Sequence, residues 1–240
     1  LIQKCLSTST KIIPLVDQDN KLIDYVSIDE IKNISIAKPE LRGNEIKYLT
    51  DCINSGWVSS IGPYISRFEK IFSKYTKLKN VIAVSSGTTA LQLALSTLGI
   101  RKNDEVIVPD LTFASPVNAI IHTGAKPVLA EIKKNTYCID EKKIEKLITK
   151  RTKAIIVVHL YGHPAEISDI LKIVKKHGIY LIEDCAEALG SYYKGKHVGC
   201  FGDISTFSFF ANKTITTGEG GIISFKEEKN FQKGKILRDH

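Results

Sequence analysis

Lys213 stands in SFFANKTITTGEGG, residues 208–221, where the following threonines and glycines do not sustain a helix and hold it in an ordered turn. A lysine amine forms Schiff bases with carbonyl carbons and also moves protons. Upstream, IYLIED (179–184) ends in the carboxylates Glu183 and Asp184. Further upstream, SSGTTAL (85–91) follows the apolar run VIAV. Small residues at such a turn let backbone N–H groups and hydroxyls close around a phosphate, with the positive end of a helix dipole behind them. Gly87 and Thr88 are the candidates there. Taken singly each signal is weak, because Ser, Thr and Gly also cap helices, acids often end strands, and a lone lysine is usually a solvated charge. Together, an amine, a carboxylate and a phosphate turn could hold a phosphorylated carbonyl compound whose ring nitrogen is protonated.

The elements that must position these groups follow from periodicity. From about Asn80 onward, β-branched runs alternate with amphipathic stretches: VIAV (81–84), EVIVP (105–109), KPVLAEI (126–132), KAIIVVHL (153–160) and IYLIED are separated by helical patterns. This is the βαβ rhythm of a mostly parallel sheet with helices on both faces, an α/β fold. Ligands bind such sheets at the C-terminal strand edge, and a central IYLIED strand would deliver both of its carboxylates there. The rhythm then changes, and ISTFSFF (204–210) and GIISF (221–225) read as two strands joined by the Lys213 connection.

Residues 1–34 differ. KIIPLVDQDNKLIDYVSIDEI (11–31) reads as strand, turn, strand and helix start, and resembles the closing half of a CBS-type repeat. A half-repeat cannot bury its own apolar face, so this stretch is taken as the tail of a preceding module or an N-terminal extension. The chain starts without Met and stops at ILRDH inside a helical pattern, which reads as a fragment of a longer protein.

Composition narrows the class. The chain has 240 residues, 43% of them hydrophobic, enough for one large core. No apolar run is long enough for a membrane span and no signal-peptide pattern opens the chain. Cys5, Cys52, Cys138, Cys185 and Cys200 form no CxxC pair, which argues against a zinc site or disulfide framework and suits the cytoplasm. The net charge of +8 comes from dispersed lysines, so nucleic-acid binding is not expected, while an anionic small substrate is. His159 and His163 are separated by residues that break any aligning helix, so a metal site is not expected; Cys185 lacks a base partner and reads as packing; Trp57 is assigned to the substrate mouth.

Residues from about 34 to 240 resemble the N-terminal two-thirds of the DegT/DnrJ/EryC1/StrS family of PLP-dependent nucleotide-sugar aminotransferases. The matching segments are GNEIKYLTDCINSGWVSSIGPYISRFE, SSGTTALQLAL, VPDLTFASPVNAI, VVHLYGHPAEI, EDCAEALGSYYKGKHVGCFGD and FSFFANKTITTGEGG, in order. The resemblance implies the aspartate-aminotransferase-like fold (PLP fold type I), with residues 35–240 as its large, cofactor-binding domain and pyridoxal 5'-phosphate as cofactor. It implies Lys213 as the Schiff-base lysine, Asp184 as partner of the ring nitrogen, and Phe113 as the aromatic stacked on the ring. Gly87, Thr88 and Ser208 match phosphate-binding positions, and Glu187 the position near the cofactor's phenolic oxygen. A lysine at 213 argues against the family's dehydratase branch, which carries histidine there. Implied partners are a nucleotide-sugar substrate, an amino-acid donor such as glutamate, and a second subunit in a homodimer. EDCAEALGS with NKTITTGEGG is most similar to the branch that aminates C4 of a GDP-linked 4-keto-6-deoxysugar for surface polysaccharide. UDP-sugar amination, an enzyme acting only on amino acids, and a truncated non-catalytic remnant stay open.

Overall fold

The computed structural model describes residues 12–27, 39–59 and 61–239. The chain divides into two compact units, Leu1–Lys38 and Pro39–His240. In the first, strands β1 (Ile12–Val16) and β2 (Leu22–Ser27) pair antiparallel. The turn forms because the Asp17 carboxylate accepts the backbone N–H groups of Asp19 and Lys21, both at 2.9 Å, and Asn20 adopts φ 61°. Ile12, Leu15, Val16, Leu22, Ile23 and Tyr25 are exposed on it. The helix start expected at 28–31 lies outside the described residues.

The second unit begins with helices α1 (Glu45–Ser55) and α2 (Pro63–Thr76). The alternation follows: β3 (Val81–Val84), α3 (Gly87–Thr97), β4 (Glu105–Pro109), α4 (Ala114–His122), β5 (Lys126–Ala130), α5 (Glu141–Ile144), β6 (Thr152–Val158), α6 (Ile167–His177) and β7 (Tyr180–Asp184). The helix expected in DEKKIEKLIT is short, since α5 passes into a 3-10 turn at Glu145–Leu147. A small ribbon, β8 (Tyr192–Tyr193) with β9 (Lys196–His197), precedes β10 (Ile204–Ser208), β11 (Gly221–Phe225) and α7 (Glu228–Asp239).

The main sheet has seven strands in the order β3-β11-β10-β7-β6-β4-β5. β11 alone runs antiparallel to its neighbours, so the other six end at one edge and β11 starts there. β7 occupies the centre. Runs such as AIIVV in β6 are buried throughout, as a strand covered on both faces requires. On one face, Leu91, Leu95 and Ile120 of α3 and α4 pack on Ile182 and Ile223. On the other, Ile170 and Val174 of α6 cover Ile107, Ile155 and Leu181, while Phe72 of α2 packs on Phe207 and Phe209. In α6 the buried Ile167, Ile170 and Val174 recur at helical spacing, and Gly178 ends it in the left-handed conformation.

Candidate active site

At the C-terminal strand edge a cavity of about 400 Å³ opens between α3, α4, the end of β7 and the β10–β11 connection. Gly87, Thr88, Phe113, Asp184, Glu187, Ser208 and Lys213, the seven residues singled out from the sequence, all line it. A larger groove of about 850 Å³ beside Ile61, Gln92 and Leu237 contains none of them. Trp57, assigned to the substrate mouth, lies outside the lining and packs beside Gly62.

The phosphate turn is built by a capping box. Ser86 Oγ accepts the Thr89 N–H at 3.1 Å, and Thr89 Oγ1 accepts the Ser86 N–H at 3.0 Å, which closes the first turn of α3. Two glycines let backbones approach here. A Cβ on Gly87 would lie 2.8 Å from Ser208 Cβ, and one on Gly221 would lie 2.4 Å from the Ser86 carbonyl oxygen. The Thr88 hydroxyl shares a 2.7 Å hydrogen bond with Ser115, a lining residue whose sequence signal was only a hydroxyl at a helix start.

Asp184 is 5% exposed. Its Oδ1 accepts the Ala186 N–H at 3.0 Å. Burial pushes its carboxyl up to about 6, against the lowering effects of the Ala186 N–H, Lys213 and His159. At neutral pH the ionised form is the favoured one.

Lys213 Nζ donates to Glu187 Oε1 at 3.2 Å and lies 6.0 Å from the centre of the Phe113 ring, itself 73% exposed. The other oxygen, Glu187 Oε2, accepts the Tyr161 N–H at 2.9 Å. Tyr161 adopts φ 52°, ψ 27°, a left-handed conformation that is strained for a bulky residue and is found at functional sites. That strain aims the backbone N–H at Glu187, and no sequence pattern announced it.

Glu183 corrects the expectation that both carboxylates of IYLIED reach the strand edge. Side chains alternate along a strand, so Glu183 faces away from the cavity. Its Oε1 accepts the N–H groups of Phe201 (2.8 Å) and Gly202 (2.6 Å), and Oε2 accepts that of Gly199 (2.8 Å) and pairs with His159 Nε2 (3.1 Å). Full burial works against its charge, but His159 and the backbone donors outweigh this and hold its carboxyl below the ordinary value. His159 Nδ1 accepts the Ala165 N–H at 3.1 Å, which turns Nε2 toward Glu183. His159, Glu183 and Cys185 bring potential metal-ligating atoms within 4.8 Å of one another. Their geometry is that of an anchor for the 199–202 loop, since four N–H donors already occupy the carboxylate. Burial pushes the Cys185 thiol well up, which leaves it a packing residue.

Residues 39–240 match the DegT/DnrJ/EryC1/StrS aminotransferase family. The chain belongs to this family. It is 53% identical over 190 residues to GDP-perosamine synthase of Vibrio cholerae and 51% identical over 193 residues to that of Escherichia coli O157:H7. These alignments cover 79% and 80% of the chain but 52% and 53% of the relatives, so the chain spans about half their length. The PLP form of Spr1654 from Streptococcus pneumoniae superposes with a TM-score of 0.82 at 34% identity, covering 85% of this chain and 57% of that one. PseC of Helicobacter pylori, an aminotransferase of pseudoaminic acid biosynthesis, gives 0.79 at 32% identity, covering 86% and 56%. The fold is thus that of the aminotransferase large domain, a mostly parallel sheet between two helical layers. Among the described residues, no helix is long and apolar enough to cross a membrane.

Pyridoxal 5'-phosphate is the cofactor of this family, and the residues present fit it. Gly87, Thr88 and Ser208 line the cavity at the N-terminus of α3, where an anion finds backbone N–H groups and hydroxyls. Asp184 is a buried carboxyl lining the cavity, and Thr112 Oγ1, buried and without a hydrogen-bond partner among the described residues, belongs to another residue of the lining.

Proposed function

We propose that the protein containing this chain transfers an amino group from an amino acid, glutamate, to the keto carbon of a GDP-linked 4-keto-6-deoxysugar, the chemistry of perosamine formation. One observation carries the reading: a lysine amine, an ionised buried carboxylate and a hydroxyl-rich helix N-terminus meet in one cavity, in a chain half identical to GDP-perosamine synthases. In this reading residues 35–240 are its cofactor-binding domain, residues 1–34 an N-terminal extension or the tail of a preceding module, and the enzyme a cytoplasmic homodimer.

Pyridoxal phosphate, when bound, supplies an electron sink for the substrate carbon that loses its proton. The residues do the rest. The N–H groups at the start of α3, with Thr88 and Ser208, would hold the phosphate. Phe113 would cover the ring. Asp184 would keep the ring nitrogen protonated through its negative charge. Lys213 Nζ would anchor the cofactor and, once freed by a substrate amine, would move the proton between the substrate carbon and the cofactor carbon that carries the amine. Glu187 holds that amine in place while its second oxygen is fixed on the Tyr161 N–H.

Reconstitution with pyridoxal phosphate should give the absorption of a lysine-bound cofactor, and Lys213→Ala should abolish it. The full-length protein should then consume glutamate in the presence of the GDP-linked keto sugar. Turnover with UDP-linked keto sugars only would overturn the substrate assignment, and an absent cofactor band in wild type would overturn the whole reading.

A further inference from the structure

Thr206 has a hydroxyl that packing does not explain. It lies on β10, 1% exposed, and its Oγ1 has no hydrogen-bond partner among the described residues. A buried unpaired hydroxyl costs about 1–3 kcal/mol, and valine has the same shape and suits a strand equally well. Unpaired buried polar groups are rare enough that each calls for a physical reason.

The register supplies one. Thr206 pairs with Asp184 across the parallel β10–β7 ladder. Registered neighbours on adjacent strands point to the same face and lie about 5 Å apart, within reach of a side-chain hydrogen bond. Ile204, Thr206 and Ser208 share this face of β10, so the Thr206 hydroxyl stands one step below Ser208, which lines the cavity. Asp184 also has acceptor capacity left. Among the described residues its carboxylate takes the Ala186 N–H alone, whereas an ionised carboxylate has about four lone-pair positions.

We propose that Thr206 is a positioning residue for the reaction: one staggered rotation of its side chain lets the hydroxyl donate to the ionised Asp184 carboxylate, steadying it toward the ring nitrogen. The inference rests on the proposed function for its role in catalysis, but the hydrogen bond itself does not require the cofactor. The titratable groups acting on Asp184 are Lys213 and His159, which favour its charge, and Glu187, which opposes it. Thr206 adds a neutral donor to that set, one that stabilises the anion without bringing a second titration.

Thr206→Val and Thr206→Ser separate this role from packing. In the cofactor-free protein, the Asp184 carboxyl followed by ¹³C NMR should titrate about one pH unit higher in Thr206→Val, and Thr206→Ser should return it to the wild-type midpoint. Pyridoxal phosphate should bind about tenfold more weakly to Thr206→Val and within about twofold of wild type to Thr206→Ser. Chemical unfolding of the cofactor-free Val variant should show a loss of stability at pH 7 that disappears near pH 4, where Asp184 is protonated in both proteins. An unchanged Asp184 midpoint overturns the proposal, as does a loss of stability in the Val variant that is the same at pH 4 and pH 7, which would place the hydroxyl's partner elsewhere in the fold. If wild type fails to take up pyridoxal phosphate, the proposed function falls, while the carboxyl titration still decides the Thr206 hydrogen bond.

Discussion

Asp184→Asn should make the cofactor-free protein more stable while destroying the site. The buried carboxyl is displaced from its ordinary value of 3.8 to about 6, so it is the charged form that the fold disfavours. A carboxyl raised on folding contributes its stability fully below the unfolded value and loses it as pH rises through the folded one. Above about pH 6 the penalty levels off at ~3 kcal/mol, from ~1.4 kcal/mol for each pH unit of displacement. Asparagine is neutral throughout and its Oδ1 can keep the Ala186 N–H. Its amide N–H₂ would replace an oxygen that accepts no hydrogen bond among the described residues, which returns about 1 kcal/mol, so the expected net gain at pH 7 is ~2 kcal/mol. Urea unfolding of wild type and variant, each without cofactor, should show this gain at pH 7 and its disappearance near pH 4. The same variant should lose tight cofactor binding, because no anion would oppose the ring nitrogen. A variant less stable at pH 7, or a stability difference independent of pH, would refute the reasoning.

Gly87→Ala should cost about 1–3 kcal/mol in unfolding measurements and lower cofactor affinity, since its Cβ would meet Ser208 Cβ at 2.8 Å. Glu183→Gln should lose ~3 kcal/mol, because an amide N–H₂ would face the backbone donors of the 199–202 loop. Glu183 is held below its ordinary value, so its contribution is present at neutral pH and fades as pH falls through the folded midpoint; the Gln penalty should shrink in acid unfolding curves. Glu187→Gln should change stability by less than about 1 kcal/mol, since the Lys213 pair is partly exposed and Gln can still accept the Tyr161 N–H. Its effect should appear instead in the pH profile of amination, measured as kcat against KM.

Much of the fold was legible because local pattern reports burial. Strands β3, β4, β7 and β11 sit within a residue of their apolar runs, and Ser86, Gly178 and Asp17 bound their elements by side-chain or backbone chemistry that acts over a few residues. The site residues were legible for a different reason. Lys213, Asp184 and Gly87 meant little singly, and it was their order along a βαβ chain, with the family resemblance, that pointed to one cavity.

By itself, the sequence determined the alternation of elements, the family, and which side chains could carry the chemistry, because periodicity and short motifs are properties of neighbours along the chain. Only the tertiary structure decided the strand order that brings Gly221 against Ser86, since pairing between residues so distant leaves no local signature. It alone separated Asp184 from Glu183, sending one carboxylate to the cavity and the other into a cage of backbone N–H groups, because the alternation of a strand takes its meaning from what covers each face. The strained Tyr161 backbone and the Thr206 hydroxyl, unpaired among the described residues, belong to that second class: Tyr161 N–H meets Glu187 and Thr206 stands in register with Asp184, each far away in sequence.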